Sequence, residues 1–467
     1  LTIKNEVSAP KVVDIAALLW FRLLLGAILL WAVSRYFWNG WINRYYIEPK
    51  FMFSFWPFNY CFSEGLPRLS AFGFYALFVG MAGAAVAIIL GWRYRLSVAF
   101  FFLAFTYVEV LDFTHYLNHH YLIWLLLILA FFAPCHRYFS LDVGAGRVAA
   151  GEKVAAEWLY LLRFQLFCVY FFAGVAKLQS DWLLDAQPLK IWLAREADFP
   201  IIGQLLATNF AAFAMSWAGA IYDLLIGFFL LYQPTRKAAY LLVVLFHAMT
   251  YALFDIGIFP FVMVGMTTLF FAPNQHRQWL LGLKNGILKI LIFNLSKLKL
   301  ITNFAAATAK VQPNYVGISR PLRWFFALYI VVQIYLPLRS HFIGRQVLWD
   351  EIGFRFSWRV LLVEKAGQAI FTVRDAENGR ESEIDNKTYL TDKQEFMMQT
   401  QADFMILYAH FLAREYKAKG YTSPQVFVRS RVAINGRRSQ PFFRDSIDLA
   451  AISAGEDLRA YIFFRSS

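Results

Sequence analysis

Charge is what this sequence has least of. Only 16% of its 467 residues are Asp, Glu, Lys or Arg, while 59% are hydrophobic, and its mean hydropathy is +0.47. Soluble globular domains carry about 25% charged residues, so this composition excludes an ordinary water-soluble enzyme or binding module and indicates an integral membrane protein. Cysteine is scarce too. Cys61, Cys135 and Cys168 fall in a loop, at a span end and inside a span, which supports neither a disulfide framework nor a metal cluster. Internal repeats, low-complexity tracts and long flexible linkers are missing. The first apolar stretch has full span length and lacks a small-residue cleavage site, so no cleavable signal peptide is expected. Acidic residues are outnumbered, 31 against 45 basic, for a formal charge of +14. That surplus lies beside apolar runs, where it reports membrane orientation and anionic lipid rather than a nucleic-acid partner.

Long apolar runs are what the chain has instead. Segments such as "DIAALLWFRLLLGAILLWAV" and "FYALFVGMAGAAVAIILGW" exceed the roughly 18 residues that cross a hydrocarbon core of about 30 Å as helix. The expected spans are 14–37, 72–92, 96–114, 120–134, 158–176, 212–232, 238–254, 257–272 and 322–338, about nine in all, the fourth and eighth being short. In 277–300, lysines spaced through apolar residues predict an amphipathic helix on the membrane surface.

From about residue 339 the pattern changes. "FRFSWRVLLVEKAGQAIFTVRDAENGRESEI" reads as strand, Gly-marked turn, strand and second turn. "TDKQEFMMQTQADFMILYAHFLAREYKAKG" opens on a Thr-x-x-Gln cap and stops at a glycine, as one helix does. "QVFVRSRVAINGRRSQPFFR" reads as a hairpin turning at Asn435-Gly436. The expected fold is an α-helical polytopic membrane protein with a C-terminal extracytoplasmic, β-rich α+β domain. Residues 1–338 form the transmembrane part and 339–467 the soluble part, the latter large enough for its own core. Asn386-Lys387-Thr388 is a glycosylation triplet in that part, a pattern frequent by chance.

Basic residues orient the helices. Arg93 and Arg95 follow the second span, Arg137, Arg147 and Lys153 the fourth, Arg236 and Lys237 the sixth, and Arg277, Lys284, Lys289, Lys297 and Lys299 the eighth. By the positive-inside rule these ends are cytoplasmic, which puts the N-terminus inside and the C-terminal domain outside. The same assignment gathers the ends of the third, fifth and seventh spans on the outer side. Those ends carry His115, His119 and His120, then Lys177, then His247.

"HYLNHHYLIW" holds three of the eight histidines. A His-x3-His-His box invites a metal reading, but di-iron membrane sites need several such boxes, and His136, His247, His276, His341 and His410 are solitary; no metal site is expected. Two readings of Lys177 stand. It snorkels to the headgroups, or it lies in an apolar pocket where desolvation favours the neutral amine and makes it a general base.

Taken in order, "DFTHYLNHHYL", "YFFAGVAKLQSDW", "FHAMTYALFDIGIFPFVM", "FRFSWRVLLVEK" and "FTVRDAENGR" resemble successive motifs of the vitamin K-dependent gamma-glutamyl carboxylases and their bacterial homologues with a horizontally transferred transmembrane domain. The resemblance runs over nearly the whole chain. It implies an enzyme that oxidises vitamin K hydroquinone, of phylloquinone or menaquinone type, with O2 to the 2,3-epoxide, and uses the strong base so formed to carboxylate protein glutamate with CO2. It implies Lys177 as the catalytic base, Asn118 and His119 as quinone contacts, His119 also in catalysis, His247 as a further cofactor contact and His341 as a substrate contact. The implied partners are a glutamate-containing protein or peptide, the lipid bilayer and a quinone reductase that regenerates the hydroquinone.

The chain departs from the animal enzymes in two places. They have two adjacent lysines where it has Ala176-Lys177, and Asn-Asn-His-Ser where it has Leu117-Asn118-His119-His120. Two alternatives follow: a quinone epoxidase without coupled carboxylation, and a non-enzymatic membrane transporter or sensor.

Overall fold

The computed structural model describes residues 12–55, 66–294, 317–343, 346–453 and 456–464. Each expected span forms a helix. Six helices are long and apolar enough to cross a membrane: Ala16–Trp38, Ala71–Leu90, Tyr94–Leu111, Ala156–Ala176, Asn209–Leu231 and Arg320–Phe342. Asn118–Phe132, Arg236–Leu253 and Phe259–Thr267 complete the bundle as shorter or less apolar helices. Helix is the structure that satisfies every backbone polar group within one segment, which hydrocarbon requires. Ends are marked where the sequence allows: Ser70 accepts a hydrogen bond from the Gly73 amide, and Gly91 closes the same helix at φ 62°.

The expected surface helix begins earlier, at Pro273, and runs to Asn294; the remainder of 277–300 lies outside the described residues. So does Cys61, while Cys135 and Cys168 are free and buried. A two-stranded sheet pairs β1, Val12–Asp14, with β2, Lys153–Ala155. This ties the start of the chain to the foot of the helix that ends beside Lys177.

The C-terminal domain is built on an antiparallel sheet in the order β4-β3-β5-β6, from β3, Lys365–Asp375, β4, Glu381–Glu383, β5, Pro424–Ile434, and β6, Gln440–Pro441. The long pair β3 and β5 runs from Lys365 opposite Ile434 to Asp375 opposite Pro424. The hairpin turn at Asn435-Gly436 is as expected, both residues having positive φ. Helix Ala402–Ala418 covers the sheet with buried Phe404, Tyr408 and Leu412.

Three local expectations are corrected. The segment before β3 is a chain of turns rather than a strand, with Phe356, Trp358 and Leu361 at positive φ. Its apolar residues pack between the helices and the sheet, so their alternation records burial on several sides rather than a pleat. Gly367, read as a turn, sits inside β3, because a Cβ there would collide with the Gln399 carbonyl. The helix expected from Thr391 to Gly420 is two, Asp392–Met398 and Ala402–Ala418, although the Thr391–Gln394 capping box forms as read. Asn386 of the glycosylation triplet is buried and donates its amide to the Ala369 carbonyl at 3.0 Å.

The domain docks on the segment that carries the histidines. Gln394 Nε2 donates to Asp112 Oδ2 at 2.6 Å and to the Phe51 carbonyl at 2.8 Å. Lys393 Nζ meets His115 Nδ1 at 2.8 Å, and Arg437 clasps Asp181 at 2.8 and 2.9 Å.

Candidate active site

Gly174 is where the site begins. A Cβ at that position would lie 2.6 Å from the Leu224 backbone nitrogen, so only glycine lets helix Ala156–Ala176 close on Asn209–Leu231. That approach brings Lys177, at the end of the first helix, against Asp223 in the second. Lys177 Nζ lies 2.7 Å from Asp223 Oδ2, both residues are deeply buried, at 5% and 6% exposure, and the Trp182 ring covers the amine from 5.2 Å. Lys177 therefore neither snorkels nor stands alone in apolar surroundings. Its amine and a carboxylate form one buried ion pair.

Lys177, Asp223 and His247 line one largely apolar cavity together with Tyr170, Trp182 and Phe259. His247, from helix Arg236–Leu253, is 3% exposed, and neither of its ring nitrogens has a hydrogen-bond partner among the described residues. Buried polar atoms are nearly always bonded, so an imidazole open at both nitrogens fits a ligand that brings a polar group of its own.

An adjoining cavity of about 540 Å³ is lined by Asn118, His119, Arg35, Asp255 and Lys393. Ile256, Phe259, Val360 and Leu361 line both cavities. The Phe259 ring stacks on His119 at 6.1 Å and meets His247 edge-on at 6.0 Å. The two imidazoles thus stand on either side of one aromatic ring.

The three neighbouring histidines have separate fates. His120 Nδ1 lies 2.9 Å from Oε2 of Glu109, a fully buried residue whose Oε1 has no partner among the described residues. His115 turns to Lys393 and packs its ring 4.3 Å from Tyr45; burial, and then the Lys393 charge, hold its pKa well below the ordinary 6.5. His119 presents its ring to the cavity. Asn118 Nδ2 donates to the Arg359 carbonyl at 2.8 Å, and its Oδ1 accepts from the Tyr116 hydroxyl at 3.4 Å. The amide thus fastens the start of the His119 helix to the C-terminal domain.

His341 is not brought to the same place. It is exposed and lines a third cavity, of about 570 Å³, with Ala176, Leu178, Ser340 and Arg359. Sequence reading passed over Asp223 and Glu109. Each is an acidic residue inside an apolar run, "AIYDLLIGFF" and "FTYVEVLDF", and intramembrane acids are costly enough to mark function or a partner. That signal was available.

A multi-pass helical membrane protein, with a buried polar site at its junction with a sheet-containing domain, is what this architecture defines. The HTTM domain matches residues 11–275 and the domain described as "Vitamin K-dependent gamma-carboxylase, lumenal domain" matches residues 319–461. The chain belongs to the vitamin K-dependent gamma-glutamyl carboxylase family. No solved structure matches it. Membership supports a carboxylase-type activity that depends on vitamin K and acts on glutamate-containing substrates, and a C-terminal domain on the extracytoplasmic side.

Proposed function

We propose that the protein is a vitamin K-dependent gamma-glutamyl carboxylase that oxidises vitamin K hydroquinone with O2 to the 2,3-epoxide and couples this to carboxylation of protein glutamate by CO2. The observation that carries the reading is the buried Lys177–Asp223 pair beside His247, whose ring nitrogens are open, with His119 across Phe259. The γ-carbon proton of glutamate is too weakly acidic for any side chain at neutral pH, and the reduced quinone, when bound, supplies the redox chemistry that makes a base strong enough.

The protein's own part is proton handling, orientation and exclusion of water. To accept a ligand hydroxyl proton, Lys177 Nζ passes one of its own across 2.7 Å to Asp223 Oδ2; the carboxyl is then neutral, and the positive amine is balanced by the oxyanion left on the ligand. His119 and His247 offer ring nitrogens to ligand oxygens, which stabilises charge that develops there. Trp182, Phe259 and Leu361 wall the cavity and keep water from quenching a strong base.

In this reading residues 1–338 carry the site and 339–467 receive the peptide, with His341 on the peptide's side. The N-terminus is cytoplasmic, the C-terminal domain is outside, and a quinone reductase regenerates the hydroquinone. The test is to supply reduced vitamin K, O2, labelled CO2 and a Glu-containing peptide to the purified protein in nanodiscs. Label in the peptide together with epoxide is the expected result. Epoxide without label selects an uncoupled quinone epoxidase, and neither product selects a non-enzymatic role.

A further inference from the structure

The cavity lined by His341 carries a charge that no acidic side chain among the described residues balances. Arg359, 8% exposed, lines both this cavity and the one that holds His119. Its Nη2 donates to Ser340 Oγ at 2.9 Å, while its Nε is buried with no acceptor among the described residues. No acidic side chain lies within ion-pair distance of it among those residues. Asp181, on the wall of the same cavity, is held by Arg437 and Asn435. Burial, and then the neighbouring Arg339, lower the Arg359 pKa from the ordinary 12.5, as expected for a cation short of counter-charge. Arginine cannot shed its proton to escape that cost.

The backbone aims this cation. Trp358, just before it, has φ 56°, and Leu361, two residues after it, has φ 55°, a region that costs bulky residues energy. The Arg359 carbonyl is held by Asn118. Val360 and Leu361 face the two inner cavities, so Arg359 stands at the partition between them and the outer cavity. Ala176 and Leu178, on either side of Lys177, form part of that outer wall.

We infer that Arg359 anchors the carboxylate of the substrate glutamate, making the outer cavity the subsite for that side chain. The inference rests on the carboxylase reading. A guanidinium fork matches a carboxylate in planar, paired hydrogen bonds. Seating the acid there neutralises the buried charge and holds the substrate at the partition with the quinone side. His341 lines the same subsite, and Ser340 fixes the guanidinium.

The experiment measures binding of a short fluorescent peptide with one glutamate, and of its glutamine counterpart, to the full chain in nanodiscs. Melting curves serve as the control of folding. The expected wild-type result is about tenfold tighter binding of the glutamate peptide. Arg359→Gln removes that preference, Arg359→Lys keeps part of it, and Ser340→Ala, which leaves the charge in place, weakens it about threefold. Should Arg359→Gln fail to fold, Ser340→Ala decides. A preference unchanged in Arg359→Gln, or in Ser340→Ala where that variant decides, overturns the anchor while leaving the carboxylase reading intact. A wild type that binds neither peptide overturns both.

Discussion

In the proposed function Lys177 and Asp223 act together, and as a buried ion pair they also depend on each other for stability. Removing one member of a buried ion pair leaves a lone charge and costs about 3–5 kcal/mol, whereas replacing both by apolar residues of similar size is often neutral. Lys177→Met and Asp223→Leu are each expected to lower the melting temperature, and the double variant is expected to melt close to wild type, with all three lacking epoxidation. Thermal melts beside epoxide assays check this; a double variant less stable than either single one contradicts it. His119 and His120 allow a second comparison. Both line the cavity, but a ring nitrogen of His120 is engaged by Glu109, so His119→Ala should raise the KM for the quinone more than His120→Ala does. Equal effects would remove the distinction. The candidates Lys177, His119 and His247 were legible as titratable residues at one expected depth. The Asp223 contact was not, because it joins two helices 46 residues apart through an approach that Gly174 permits and no spacing announces.

Helix Asp392–Met398 is one of the elements that join the two parts of the chain, and a histidine beside it sets its pH response. His115 faces Lys393, Asp112, His120 and Tyr45. Its pKa when docked lies well below 6.5, because burial and Lys393 both oppose its protonation. The undocked state therefore binds the extra proton more readily, so docking is strongest above the ordinary value and weakens as pH falls through about 6.5 and below. Hydrogen exchange across Asp392–Met398, corrected for intrinsic rates, should accelerate between pH 7.5 and 5.5 in wild type and change less in His115→Gln. A flat wild-type profile contradicts this. The Thr391–Gln394 cap was readable from residue types alone. The break near Thr400 was not, since no glycine or proline marks it. Nor was the path of Phe356, Trp358 and Leu361, where bulky residues occupy a backbone region their side chains disfavour.

For the whole molecule, the apolar runs announced the helical bundle, and the alternation beyond residue 365 announced the sheet, because both periods follow from burial. The meeting of the bundle with the sheet, where the cavities lie, is a property of tertiary packing that no local pattern records. Orientation is open to direct test. A C-terminal tag should be cleaved by protease added to intact cells, and protection of the tag would contradict an external C-terminal domain. The central claim is that the amine of Lys177 starts the redox chemistry that drives carboxylation. It is tested most directly by assaying Lys177→Ala beside wild type for epoxide and for fixed label in the same reaction. The account predicts both products from wild type and neither from a folded variant. A variant that turns over at the wild-type rate would contradict it.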